Sequence, residues 1–229
     1  MKAEFWKERW EQDQLGWHQD AANDRLVREW PTLGIDARDP VFVPLCGKSL
    51  DMTWLRDRGH PVVGCELSEI ACRDFFAEAG VDVTPKQEGG FERYEAEGYR
   101  LLCGDFFDLR AEHLEGVRGA FDRGSLIALP PEMRVRYAAH LSAILPETVR
   151  ILLLTVEYDQ SVVGGPPHSV TEDEVEALFA DAFALTRRHL SEPGKPQHPR
   201  FVAAGLEVWQ EAVWILERSP GGTTGRVDR

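Results

Sequence analysis

The chain has 229 residues, enough for one α/β domain with a large core and short for two. Hydrophobic residues make up 43% and charged residues 28%, the balance of a globular protein and not of a disordered or fibrous one. With 39 acidic against 26 basic residues the formal charge is −13, a surface that repels phosphate backbones and argues against a nucleic-acid partner.

The first residues carry Lys2, Glu4, Lys7 and Glu8 instead of an apolar leader, and no apolar stretch approaches membrane-spanning length. A cytoplasmic protein without a membrane partner is expected. Residues 3–12 place Phe5, Trp6 and Trp10 on one helical face, and a second helical pattern runs through about 20–30 until Pro31. These two helices, within residues 1–38, are expected to cover a site. From residue 41 short apolar runs alternate with helical stretches, the pattern of βαβ units and a parallel sheet. VFVPL (41–45) and PVVGCEL (61–67) are the first strands, separated by a helix at about 50–58 and followed by one at 69–79. A polar, glycine-rich stretch at 84–98 has room for an extra hairpin. RLLCGD (100–105), AFDRGSL (120–126) and VRILLLTVEYD (149–159) supply three more strands, with a periodic helix at 133–145 before the last. After a helix at 171–181, FALTRRHL (183–190) and GLEVWQEAVWILE (205–217) form an antiparallel pair around a Pro-rich loop. The expected fold is α/β: a doubly wound, mostly parallel seven-stranded sheet with an antiparallel C-terminal hairpin. One domain spans 1–218, and 219–229, without an apolar anchor, is expected to be a disordered tail. Cys46, Cys65, Cys72 and Cys103 match no zinc spacing and read as buried free thiols. Nothing in the pattern demands assembly, so a monomer is the default expectation.

In an open parallel sheet, ligands bind beyond the C-terminal strand ends, where the first turn brings backbone amides to the ligand. Here that turn is PLCGKSLDM (44–52). Its one glycine, Gly47, provides poorly for a pyrophosphate, which disfavours a nicotinamide oxidoreductase, and Lys48 lacks the glycine spacing of a phosphate-binding loop. Glu66 ends the second strand 19 positions after Gly47, where an acid can hold a ribose diol, or else cap a helix. Ser68 is placed to cap the next helix. Gly104 and Asp105 follow the third strand, where a carboxylate can meet an adenine edge, and Phe106 or Phe107 pack either on its face or in the core. Arg123 ends the fourth strand beside Asp122, either as a functional cation or in an ion pair with its neighbour.

The turn FVPLCGKSLDMTWL, the runs DRGHPVVGCELSE and FDRGSLIAL, the EYD of the fifth strand with GPPHSV after it, and the tryptophans of EFWKERW together resemble thiopurine S-methyltransferases, particularly the bacterial branch. The match spans about residues 5–217. It implies a Rossmann-like methyltransferase that uses S-adenosyl-L-methionine and methylates a small-molecule thiol. It further implies that Trp10, Leu45, Glu66 and Arg123 contact the cofactor, with Trp6, Gly104 and Asp105. Trp17 and Arg200 fall on the substrate side, and Arg123 is the candidate for stabilising a thiolate. The alternatives are a methyltransferase for another small nucleophile, such as a halide, thiocyanate, or selenium or tellurium species, and a cofactor-binding protein without catalysis. Segment 191–204 departs from better-known members and bears on acceptor choice.

Overall fold

A computed structural model describes residues 3–219 of the chain. The expected tail lies, beyond Ser219, outside the described residues. Helices α1 (Ala3–Glu11) and α2 (Asp24–Glu29) precede the sheet, and α2 runs into a 3-10 turn at Trp30–Leu33 that accommodates Pro31 near its start. Then come β1 (Val41–Val43), α3 (Leu50–Asp57), β2 (Val62–Glu66), α4 (Glu69–Glu78), β3 (Lys86–Glu88), β4 (Phe91–Ala96) and β5 (Tyr99–Cys103). The second half holds β6 (Gly119–Arg123), α5 (Pro131–Ile144), β7 (Arg150–Glu157), α6 (Glu172–Phe179), β8 (Phe183–Leu190), α7 (Pro199–Ala203) and β9 (Gln210–Arg218).

The strands form one sheet in the order β3-β4-β5-β2-β1-β6-β7-β9-β8. The five central strands, β5 to β7, pair in parallel, and β9 slots antiparallel between β7 and β8. The sheet therefore has nine strands where seven are expected. The additional pair is the β3–β4 hairpin, joined antiparallel to β5 through Glu97 and Gly98, both at positive φ, as a tight hairpin turn requires. β4 buries Phe91 and Tyr94, whereas β3 is polar throughout and is made a strand by its pairing, not by a hydrophobic pattern.

Successive strand residues face opposite sides of a sheet. Phe42 accordingly packs with Tyr137, Leu141 and Phe179 of α5 and α6, while Val41 and Val43 pack with Met52, Leu55, Phe75 and Phe76 of α3 and α4. Both faces of β1 and β2 are covered, which explains their unbroken apolar runs. Ser49 and Ser68 cap α3 and α4, so each helix starts directly beyond the strand end that precedes it. No described helix is long and apolar enough to cross a membrane.

Gly64, in the middle of β2, has no space for a side chain. A Cβ there would stand 2.6 Å from Leu101 and 2.7 Å from the Cys46 sulfur. Gly64→Ala should lower unfolding free energy by about 1–3 kcal/mol through overpacking. A guanidinium titration should show a lower midpoint with unchanged slope.

Candidate active site

The C-terminal ends of β1, β2 and β6 open into a cavity of about 1060 Å³. The first turn, residues 45–51, forms one wall, α1 and the segment through Gln19 form a second, and residues 191–201 reach over from β8. The two covering segments meet where Gly16 approaches His198: a Cβ on Gly16 would stand 3.2 Å from the imidazole Nε2.

Glu66 is only 7% exposed and lines this cavity. Its Oε2 accepts the Gly47 N–H and its Oε1 the Ser68 N–H, both at 2.8 Å. Burial nonetheless raises its pKa above the ordinary glutamate value, with those amides working in the opposite direction. A carboxylate has about four acceptor sites, so these amides leave it capacity to accept from a hydroxyl on the cavity side. Gly47 sits at φ +53°, and a Cβ on it would come within 3.3 Å of the Trp10 ring. Beside it Leu45 occupies the left-handed region at φ +43°, a costly backbone state for leucine. The turn is held there by Cys46 N–H to Cys65 O and by the Ser125 hydroxyl to Pro44 O.

Lys48 turns to α4, 2.5 Å from Glu78 and 4.0 Å from Asp74. Its ammonium is spent on those carboxylates, and the turn has no glycine-rich amide cradle. The turn therefore presents the Glu66 acceptor to the cavity and no cationic or amide cradle of the kind a phosphate needs.

Arg123 and Asp122 go to opposite faces of β6. Asp122 is buried beneath α5, where its carboxylate accepts the Tyr137 hydroxyl at 2.7 Å and the amides of Ser125 and Leu126. Burial raises the pKa of Asp122 and, with the adjacent carboxylate, that of Tyr137. Arg123 points into the cavity, and its ion-pair partner is Asp51, at 2.6 Å from Nε, not its sequence neighbour. Its Nη2 donates to Ser49 Oγ at 2.9 Å and its Nη1 to the Trp17 carbonyl at 3.4 Å. Asp51 and Ser49 are site residues that their own stretch of sequence does not announce. A helix-capping serine followed two residues later by an acid is common, and nothing local marks it as meeting an arginine 72 positions away.

The three N-terminal tryptophans form a cluster. Trp17 stands edge-on to Trp6 at 5.3 Å and to Trp10 at 6.0 Å, with Trp10 buried and Trp17 37% exposed at the mouth. Asp105 lines the cavity, and one of its oxygens accepts the Phe107 N–H. Gly104 is not among the described residues lining the cavity; a side chain there would strike the Phe91 ring at 2.5 Å. Phe106 belongs to the core against Tyr137, whereas Phe107 is half-buried under the Arg136 guanidinium, 3.8 Å from its ring centre. Arg200 lines the outer part and donates to the carbonyls of Gly164 at 2.5 Å and Pro166 at 2.8 Å, tying α7 to the loop after β7. His168, after the two prolines, is buried, and its ring nitrogens lack hydrogen-bond partners among the described residues. Its pKa is lowered by burial and by Arg134.

A parallel sheet with an antiparallel strand inserted near one edge, and a buried acid facing the cavity from the end of β2, defines the class: the fold of S-adenosylmethionine-dependent methyltransferases. A solved methyltransferase of this kind from Anabaena variabilis superposes with a TM-score of 0.64 over 95% of each chain, at 14% identity. The profile of the thiopurine S-methyltransferase family matches residues 1–219. A thiopurine S-methyltransferase from Nitrosospira multiformis is 45% identical over 221 residues, covering 94% of this chain and 98% of its own. A probable thiopurine S-methyltransferase from Yarrowia lipolytica is 50% identical over 188 residues, 81% of this chain and 88% of its own. The chain belongs to the thiopurine S-methyltransferase family.

The Asp122–Tyr137 bond is the buried tie between β6 and α5. Asp122 holds its proton more tightly folded than unfolded, so its ionisation costs stability at neutral pH, and that cost is relieved as pH falls through its raised native value. The Tyr137 hydroxyl serves the ionised form. Tyr137→Phe should cost about 1–3 kcal/mol at pH 7 and less in acid, measured by denaturant unfolding at both pH values.

Proposed function

We propose that the chain is a thiopurine S-methyltransferase that binds S-adenosylmethionine in this cavity and methylates the sulfur of a small aromatic or heterocyclic thiol. The observation that carries the reading is Glu66, a buried carboxylate lining the cavity with acceptor capacity beyond its amide bonds, in a chain that belongs to this family throughout. The cavity of about 1060 Å³ stands at the upper end of ordinary small-molecule sites and has room for cofactor and acceptor together.

In this reading Glu66 accepts the ribose hydroxyls, the backbone at Leu45 and the carboxylate of Asp105 line the nucleoside, and Gly104 lets the strand end pack on Phe91. Trp10 and Trp6 present aromatic faces, which attract a cation such as a sulfonium. Bound, the cofactor supplies a methyl group activated by that sulfonium. Direct displacement then requires alignment of two reactants, and holding them in place is worth on the order of 7–11 kcal/mol without any nucleophilic side chain. Trp17 and Arg200 border the acceptor side. A thiol reacts as its thiolate, and Arg123 stabilises that anion with N–H donors not used by Asp51, Ser49 and Trp17.

Calorimetric titration with S-adenosylmethionine and S-adenosylhomocysteine should show binding of both, and 6-mercaptopurine should be turned over in the same preparation. Arg123→Ala should lower kcat/KM for an anionic thiol by about 100-fold, the scale of losing one preorganised donor to a developing or bound anion. Unchanged turnover would remove Arg123 from the chemistry, and absence of cofactor binding in the parent protein would defeat the whole reading.

The raised pKa of Glu66 gives a second test. Its ionised form offers the fuller set of acceptors, so cofactor affinity should be complete at neutral pH and decline on acidification, with a midpoint above the ordinary glutamate range. Glu66→Gln should weaken binding roughly tenfold or more at pH 7 and abolish the acid limb, as followed by calorimetry across pH.

A further inference from the structure

Asp51 joins three separate parts of the cavity wall through its carboxylate. It is a carboxylate with 2% exposure, and its contacts come from several elements of the site. Its Oδ2 accepts from Arg123 Nε at 2.6 Å and from the Ser49 hydroxyl at 2.8 Å. Its Oδ1 accepts the backbone N–H of Asn23 at 2.8 Å. Asn23 in turn caps α2, so this bond fastens the far end of the covering segment that carries Trp17. Ser49 is also saturated: its hydroxyl donates to Asp51 and accepts from the Asp51 N–H and from Arg123 Nη2. Removing any member leaves a buried group unpaired.

Resting on the function proposed above, we infer that Asp51 is a positioning residue for methyl transfer: it aims the Arg123 guanidinium at the acceptor and locks the N-terminal cover to the same anchor. Nε is held by Asp51 and Nη2 by Ser49, which fixes the plane of the guanidinium. Three of its five N–H donors are occupied, and the rest face the remaining space from a defined direction. The Trp17 carbonyl, hydrogen-bonded to Nη1, closes the loop between arginine and cover. Asp51 reaches the reaction through Arg123 and does not touch the reactants itself. Its negative charge also offsets the arginine, so the site binds a thiolate without a net positive excess that would repel a sulfonium.

An amide cannot replace this carboxylate. Asparagine has one oxygen, so it faces either Arg123 and Ser49 or the Asn23 N–H with its NH₂ group, setting donor against donor. The decisive experiment is a double-mutant cycle on kcat for 6-mercaptopurine, with single turnovers followed at saturating S-adenosylmethionine. Asp51→Asn is expected to lower the rate roughly tenfold or more, the scale of small misplacements of a reacting pair. In an Arg123→Met background the same change should cost several-fold less than in the parent, since the part that acts through Arg123 is gone and only the loosened cover remains. Amide hydrogen exchange should meanwhile quicken across residues 15–24 in Asp51→Asn, with or without Arg123. Losses that multiply in the double variant, or an Asp51→Asn protein with parental kcat, would overturn the assignment. Should Asp51→Asn fail to fold, Asp51→Glu, which keeps the charge but displaces it by one methylene, enters the same cycle: a loss that shrinks several-fold without Arg123 supports the role, and one that multiplies overturns it. A parent protein that binds no S-adenosylmethionine defeats the proposed function, whereas one that binds and turns over but gives an additive cycle defeats the role of Asp51 alone.

Discussion

A carboxylate taken out of water at the end of a central strand has to be given hydrogen-bond donors, and the way Glu66 obtains them organises the rest of the site. One donor comes from the turn after β1, the other from the start of α4. Satisfying both pulls Gly47 into the left-handed region and sets its amide over the end of β2. With the turn in that shape, its bare Cα becomes the surface on which Trp10 rests, and α1 is seated against the cavity. A single buried acid thus ties together two strand ends, a helix start and a covering helix.

The polar groups at the end of β6 follow from strand geometry. Adjacent residues point to opposite faces, so Asp122 and Arg123 cannot share a partner or neutralise each other with ease. Asp122 is committed to α5 and to the turn that follows β6, and its environment is a structural one. Arg123 is committed to the first turn and the N-terminal cover. The two networks lie on either side of one strand, which separates the residue that secures the sheet from the one that faces the cavity.

The covers come from the two ends of the chain, and neither belongs to the sheet's own helices. The tryptophan cluster stabilises the first, each edge-to-face pair contributing about 0.5–1.5 kcal/mol beyond simple burial. Arg200 secures the second by donating to carbonyls of the loop after β7, which leaves its charge close to the mouth but its donors largely occupied. Residues between 191 and 201 therefore form part of the cavity wall.

The alternation of apolar runs with helical stretches was enough to determine a doubly wound sheet with a C-terminal hairpin, because buried parallel strands and amphipathic helices impose different periods on the sequence. Residue type and position at strand ends likewise marked Glu66, Arg123 and the first turn. What the sequence could not express is contact between distant positions. The polar strand β3 exists by pairing alone, Gly104 serves the Phe91 ring at its back, and Phe106 is buried in the core while Phe107 is only half-buried, though both border the cavity. Above all, the partner of Arg123 is Asp51 and not Asp122, although the latter is its neighbour in the chain. Local pattern reports which face of its own element a side chain occupies; which other element meets that face is decided when the sheet assembles, and only the tertiary structure carries it.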